Sequence, residues 1–188
     1  MTAQEALNTP HLAKLRVADF LLLAEAGAFS DYARTELIEG EIWVVNSVHR
    51  RHARVHAQLT AEIGAALRAA GSPLTFYTAP STELSDDSLP EPDIAIGEPS
   101  DAKIFPGPAM RVAIEVSDST LDLDLGRKAR LYARYGVPEY WVADVEGRVI
   151  RQMWAPDGEA YKQRRDVPFG DSLTAATVPG LTIATDSL

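Results

Sequence analysis

The stretch that decides the fold is RVAIEVS, residues 111–117, in which branched apolar residues alternate with small or polar ones. Because successive side chains of a β-strand point to opposite faces, this alternation separates an apolar face from a polar one. The apolar face carries Val112, Ile114 and Val116. The opposite face carries Glu115 between the small residues Ala113 and Ser117, which leaves room for a ligand beside the carboxylate.

A second, shorter segment shows the same division into an apolar face and a small-residue face. It supplies the second carboxylate of a pair. In PDIAIG, residues 92–97, Asp93 shares a face with alanine and glycine, and Pro92 can begin a strand without a backbone donor. If the two strands pair, Asp93 and Glu115 lie together, and they repel unless a cation neutralises them. Mg²⁺ suits such a pair because it takes one or two carboxylates and completes its shell with water. The alternative is that Asp93 caps a turn and Glu115 is an exposed strand residue.

A lysine lies on the apolar face of the helix predicted over residues 121–135. At about 100° per residue, Lys128 falls on the same side as a set of large apolar residues. These are Leu121, Leu125, Leu131, Tyr132 and Tyr135. The ammonium of Lys128 then either snorkels to a polar edge or reaches the carboxylate pair, where it can orient a water and stabilise negative charge.

The remaining pattern predicts an α/β chain with a mixed α+β arrangement, in which helices flank a central sheet. Further helices are predicted over 17–26 and 48–70, and a hairpin over 35–45 turns at Glu39-Gly40. Strands are predicted over 74–77, 82–84, 93–96, 111–116, 139–143, 148–154 and 159–163. The tail after Pro168 is weakly patterned.

Composition limits the classes of protein that fit. The 188 residues predict one domain over 16–188 after a loose lead-in at 1–15. The chain has no cysteine, which excludes disulfides, thiolate metal sites and cysteine nucleophiles. The longest apolar stretch near the start, Phe20 to Leu23, is too short for a membrane span, so we expect a cytoplasmic protein without a membrane segment.

The formal net charge of −9 argues mildly against a nucleic-acid partner, because phosphate contacts usually need a basic surface. The charge is unevenly distributed, however. Residues 83–101 hold seven acids and no lysine or arginine, whereas residues 49–56 hold three arginines and three histidines. A basic approach face is therefore compatible with the negative total.

The basic cluster lies at the start of the second predicted helix. Its outer side carries Arg50, Arg51 and Arg54, which are candidates for bidentate phosphate contacts or simply a solvated helix face. His52 and His56 are spaced for a zinc site, but alanine at position 53 departs from the H-E-x-x-H pattern. We interpret His52 as a polar residue at the rim of a cleft, close to the nucleic-acid contacts.

An ordered set of these motifs resembles the bacterial family of restriction-endonuclease-like proteins within the PD-(D/E)XK nuclease superfamily. The resemblance covers roughly residues 16–163. It rests on Glu36-Leu37-Ile38-Glu39-Gly40-Glu41, His52, Pro92-Asp93, Glu115-Val116-Ser117, Asp124, Lys128, Tyr132 and Gly136-Val137-Pro138-Glu139-Tyr140-Trp141. The spacing of the whole set is more specific than any one piece.

The resemblance implies a restriction-endonuclease-like sheet in which Asp93, Glu115 and the backbone carbonyl of Val116 ligate a divalent metal. Ser117 stands where the superfamily has its lysine, and the resemblance lets Lys128 take that role from the next helix. Glu36 is a further acid of the site by the same resemblance, or else a strand residue before a turn. We interpret Tyr132 and Trp141 as packing residues.

These expectations combine into a DNA endonuclease that uses Mg²⁺ or Mn²⁺, with Asp93, Glu115, Lys128 and Glu36 as its catalytic residues. The resemblance also implies a homodimer. The alternative is a catalytically weak or inactive nuclease-fold module that binds nucleic acid or protein. A phosphohydrolase for small phosphoesters is disfavoured, because the sequence has no glycine-rich phosphate loop and no second cluster of histidine and aspartate.

Overall fold

The structure is a computed structural model that describes residues 12–45 and 49–188. Residues 1–11 of the predicted lead-in at 1–15 and the predicted helix start at Val48 lie outside the described residues. The helices are α1 (Val17–Glu25), α2 (Arg50–Ala69), α3 (Leu121–Leu123) and α4 (Ala129–Arg134), with a π-helical segment (Asp124–Lys128) between the last two. The strands are β1 (Arg34–Ile38), β2 (Glu41–Val45), β3 (Thr75–Thr78), β4 (Thr82–Glu83), β5 (Ile94–Gly97), β6 (Phe105–Pro106), β7 (Met110–Ser117), β8 (Glu139–Asp144), β9 (Val149–Asp157), β10 (Ala160–Pro168), β11 (Ser172–Thr174) and β12 (Thr182–Ala184).

A six-stranded sheet in the order β10-β9-β8-β7-β5-β3 forms the centre of the fold. The central strands β7 and β8 are parallel, and their neighbours pair antiparallel. Parallel neighbours need a crossover connection, and the helical segment 121–134 supplies it. The predicted mixed sheet flanked by helices is therefore confirmed.

The two faces of β7 pack against different parts of the protein, as the alternation of residues 111–117 predicts. Val112, Ile114 and Val116 belong to the main apolar core, which α2 and β12 cover. Ala113 belongs to a second cluster on the other face, which includes Tyr132 of the crossover helix and Tyr140 of β8. Glu115 shares this second face, so the sheet itself separates the site from the main core.

The β1–β2 hairpin is a separate two-stranded sheet that lies against the site-bearing face. Its turn has positive φ at Glu39 (52°) and Gly40 (76°), and a Cβ at Gly40 would meet the Lys14 Cβ at 2.5 Å. Leu37 bridges to Leu89 through the backbone, which anchors β1 beside the segment that leads into β5. The predicted hairpin and its turn residues are confirmed, and this anchoring carries Glu36 into the interior.

Two parts of the chain differ from the sequence-based prediction. The helix over 121–135 is not a continuous α-helix, because residues 124–128 form a π-helical segment. The tail after Pro168 forms the β11–β12 hairpin, whose Leu173, Leu181 and Ile183 are buried in the main core. Strands of three residues are too short to show a period. Within the described residues, no helix is long and apolar enough to cross a membrane.

Candidate active site

Three carboxylates from different strands meet at one pocket. Glu36 lies on β1, Asp93 immediately precedes β5, and Glu115 lies on β7. Their residues are only 3%, 5% and 2% exposed, respectively. Asp93 and Glu115 become neighbours because β5 pairs antiparallel with β7, with Ile94 opposite Ile114. The structure therefore brings together the acids that the sequence placed on the small-residue faces.

Lys128 lies between two of these carboxylates. Its ammonium is 2.9 Å from Glu36 Oε2 and 3.1 Å from Glu115 Oε1, and the residue is 3% exposed. The Tyr132 hydroxyl donates to the same Glu115 oxygen at 3.1 Å. The ammonium is thus enclosed by carboxylates rather than extended to the surface. Tyr132 also packs against Tyr140, in agreement with its interpretation as a packing residue. Its hydrogen bond to Glu115 is a further contact that the sequence did not indicate.

The π-helical segment explains how an apolar helix face presents a lysine to the site. The Tyr140 hydroxyl donates to the Asp124 backbone oxygen at 2.9 Å, and the Asp124 side chain accepts from the Thr120 hydroxyl at 2.5 Å. These contacts hold the widened turn, which ends at Lys128. Tyr132 follows four residues later on α4, so both side chains lie on the same helix face and reach Glu115. Single π-turns inside helices are frequent at functional sites.

Arg34 is a site residue that sequence reasoning missed. Its guanidinium donates to Asp93 Oδ1 at 2.6 Å and lies 3.5 Å from Glu36 and 3.3 Å from the carboxylate of Glu91. The signal that could have found it is its position two residues before Glu36 on β1, because residues i and i+2 share a strand face. The pocket therefore contains a second cation, which is half-buried.

Hydrogen bonds hold both carboxylate oxygens of Asp93. Its Oδ2 accepts from the Val116 backbone N–H at 2.7 Å and lies 3.2 Å from His52 Nε2. His56 Nε2 is 3.1 Å from the Asp93 backbone oxygen, so both histidines of α2 secure the same residue. His52 is half-buried at the side of the pocket, in agreement with its interpretation as a rim residue.

The surroundings shift the pKa values of the two strand acids in opposite directions. Burial alone would raise the pKa of Asp93, but the hydrogen bond from His52 and the charge of Arg34 hold it well below its usual range. Burial raises the pKa of Glu115 far above its usual value, against the opposing charge of Lys128. Burial thus favours the neutral form of Glu115, whereas the partners of Asp93 favour its ionised form.

Lys128 remains charged in this setting. Burial would lower the pKa of its ammonium, but Glu115, Glu36 and Asp124 raise it above the ordinary lysine value. Asp124 is also buried at the pocket, and burial raises its own pKa. The sequence placed Asp124 in the family signature without a role, and the structure shows it among the carboxylates that surround the lysine.

The pocket above these residues has a volume of about 70 Å³. That is room for a few water molecules. Among the residues that the structure describes, no group of three or more His, Cys, Asp or Glu side chains is spaced to hold a metal ion. The cations explain this spacing, because Arg34 contacts Asp93 and Lys128 separates Glu36 from Glu115. The zinc interpretation of His52 and His56 gains no support.

The three arginines in the first two turns of α2 do not join this site. Arg50, Arg51 and Arg54 are exposed on the outer side of the helix, while His52 points inward. Arg51 forms a salt bridge with Asp118, a residue that lines the pocket, at 3.1 Å. The structure therefore places the three predicted arginine contacts beside the carboxylate site and outside it, whereas His52 lines the site pocket.

Comparison with known proteins identifies the family and the fold of the chain. The profile of the Uma2 family, described as "Putative restriction endonuclease", matches residues 17–186. A crystal structure of a protein from Anabaena variabilis, described as a putative nuclease belonging to DUF820, has the same fold with a TM-score of 0.70. The two chains are 15% identical, and the match covers 92% of this chain and 96% of the other. No curated protein sequence matches. The chain belongs to the Uma2 family.

Proposed function

We propose that this protein is a divalent-metal-dependent endonuclease that hydrolyses DNA phosphodiester bonds. The observation that carries the proposal is the pair of buried carboxylates, Asp93 and Glu115, with the Lys128 ammonium 3.1 Å from Glu115 at the floor of a pocket. Membership of a family described as restriction endonucleases supports a nuclease. A lysine in contact with one acid of such a pair can supply positive charge to the transition state of phosphodiester hydrolysis.

The donor set fits Mg²⁺ or Mn²⁺. Carboxylate oxygens of Asp93 and Glu115, with the backbone carbonyl of Val116, are hard ligands, and such ions need only one or two carboxylates. Within the described residues, no hydrogen bond uses Glu115 Oε2, so that oxygen has free lone pairs. When bound, the ion would supply Lewis acidity toward a phosphate oxygen and toward the attacking water.

The other side chains position the reacting groups. Glu36 holds the Lys128 ammonium at 2.9 Å, and Tyr132 fixes the orientation of Glu115 through its hydroxyl. Because its pKa is raised, the lysine stays protonated and can stabilise the negative charge that develops on the phosphate. Glu36 acts through Lys128, so its role here is that of a positioning residue.

The test compares the purified protein with its Asp93→Asn variant. We expect wild type to bind Mn²⁺ in calorimetry and to cut supercoiled plasmid in Mg²⁺ or Mn²⁺, and the variant to do neither. The exposed acid Asp157, 67% exposed at its side chain, gives the matched control Asp157→Asn, which should behave as wild type. Cleavage that persists in Asp93→Asn and in EDTA would overturn the proposal.

A second candidate is a nuclease-fold module that binds nucleic acid or protein without cutting. The contact that favours it is Arg34 on Asp93 at 2.6 Å, because a resident guanidinium neutralises the acid that a metal would need. Ser117 in place of the superfamily lysine points the same way. Retained DNA binding without Mn²⁺ affinity would select this alternative.

A further inference from the structure

A second pocket lies beside the candidate active site and is rich in arginine. Its lining includes Arg50, Arg51 and Arg54 from α2 and Arg148 from the turn between β8 and β9, and its volume is about 630 Å³. Glu146 also lines it, so positive charge is in excess there. This concentration of arginine runs against the net charge of −9 of the chain. We name it the arginine pocket.

The arginines are available to a ligand. Among the residues that the structure describes, no carboxylate lies within 4.0 Å of the guanidinium groups of Arg50 and Arg54, and both residues are exposed. Arg51 retains 68% side-chain exposure in its salt bridge with Asp118. Arg148 stacks over Phe169 at 5.4 Å and donates to the Leu188 backbone oxygen at 3.2 Å, which holds its planar group in place.

The direction of α2 adds to this positive field. The 20-residue helix begins at Arg50, its N-cap residue His49 makes no side-chain hydrogen bond to the first turn, and that turn contains no acid. The N-terminus of a helix presents free N–H groups and a partial positive charge, both of which favour anions. The free N–H groups belong to the backbone and the guanidinium groups to side chains, and both favour the binding of an anion.

The arginine pocket adjoins the candidate active site through α2. His49 and His52 line the site pocket, whereas Arg50, Arg51 and Arg54 on the same two turns line the arginine pocket. Asp118 lines the site pocket and pairs with Arg51, so the two pockets share a wall. A polyanion that spans this wall would therefore contact both pockets.

We propose that the arginine pocket binds backbone phosphates of a nucleic-acid strand, and that the same strand runs on into the candidate active site. The second half of this inference rests on the proposed function. Guanidinium groups and the N–H groups of a helix N-terminus bind phosphate oxygens and do not contact base edges. The contact is therefore independent of the nucleotide sequence. The pocket supplies the basic approach surface that the overall charge conceals.

The test measures binding of a fluorescent duplex oligonucleotide by anisotropy in EDTA, where no cleavage occurs, across a series of salt concentrations. The double variant Arg50→Ala/Arg54→Ala removes the two arginines that have no carboxylate partner among the described residues. A separate variant, Arg148→Ala, removes the arginine of the β8–β9 turn. The matched control, Arg68→Ala/Arg164→Ala, makes the same charge change at the far end of α2 and on β10. We expect the first double variant to bind at least tenfold more weakly at 0.1 M salt. The salt slope should fall by up to about 2, since two phosphate contacts are lost.

The outcomes separate this inference from the proposed function. Equal weakening in the control double variant, or unchanged binding in both arginine variants, overturns the inference and leaves Mn²⁺ binding and cleavage untouched. Tighter binding of a polyglutamate peptide than of DNA, lost in the same variants, also overturns it. Loss of DNA binding in the arginine variants of a protein that binds no Mn²⁺ supports the phosphate pocket and removes only its link to catalysis.

Discussion

Two buried glutamates on opposite faces of the central sheet differ in how they are satisfied. Glu139, 0% exposed, begins β8 on the main-core face, and Glu115, 2% exposed, lies on β7 on the other face. Glu139 accepts five hydrogen bonds from uncharged donors. These come from Trp141 Nε1 (2.6 Å), Gln152 Nε2 (2.6 Å), Ala176 N (3.1 Å), Thr177 N (2.8 Å) and Thr177 Oγ1 (2.8 Å). Both its oxygens are occupied.

Glu115 has the opposite character. Lys128 and Tyr132 contact only its Oε1, and in the described part of the chain nothing bonds to Oε2. Glu115 lines a pocket, whereas Glu139 lines none of the pockets described above. The comparison shows that burial of an acid does not by itself mark an active site. Five fixed donors leave Glu139 without room for a ligand, whereas the spare oxygen of Glu115 beside the pocket can take a ligand without displacing a protein donor.

The largest expected effect is on stability, and it tests this distinction with matched substitutions. In Glu139→Gln the new NH₂ group faces N–H donors that it cannot accept from, including the Thr177 backbone N–H. We expect a loss of about 3 kcal/mol in the free energy of unfolding in urea. In Glu115→Gln the amide oxygen can still accept from both Lys128 and Tyr132, and Glu36 still neutralises the Lys128 ammonium at 2.9 Å, so its loss should be smaller, about 1 kcal/mol. Equal losses would contradict the distinction.

The second expected effect is on activity, where Glu115→Gln should lose more than Glu139→Gln. Because Glu115→Gln removes the negative charge but keeps the shape, we expect Mn²⁺ affinity to be lost in calorimetry and plasmid cleavage to fall about 100-fold, equivalent to about 2.7 kcal/mol. Glu139→Gln, assayed at a temperature where it is fully folded, should retain most of its cleavage rate. A Glu115→Gln protein that cuts at the wild-type rate would show that the spare oxygen has no catalytic use.

The sequence predicted those parts of the fold and site that depend on local pattern. Alternation placed Asp93 and Glu115 on the same face, and the helical wheel turned Lys128 inward, because both periods are set by backbone geometry. The saturation of Glu139 was not predictable in this way, since Ala176 and Thr177 come from a tail with no readable period. The single domain and the homodimer stay predictions.

Arg34 shows a second limit of sequence reasoning. Its contacts with Asp93, 59 residues along the chain, depend on the hairpin closing against the sheet. A strand pattern says which face a side chain takes and does not say what that face meets. The same holds for the π-helical segment, whose five residues carry no composition that distinguishes them from an α-helix.

The smallest expected effect concerns Arg34, which gives Asp93 a partner that Glu139 does not need. If the guanidinium competes with the metal, Arg34→Gln should bind Mn²⁺ about tenfold more tightly in calorimetry, equivalent to about 1.4 kcal/mol, because one positive charge 2.6 Å from Asp93 is removed. The matched control is Arg111→Gln, since Arg111 pairs with the exposed Glu98 away from the site. Weaker Mn²⁺ binding in Arg34→Gln alone would instead show that the arginine orients Asp93 for the metal. Asp93 would then resemble Glu139 in depending on fixed donors, and the spare oxygen of Glu115 would be the one distinctive feature of the site.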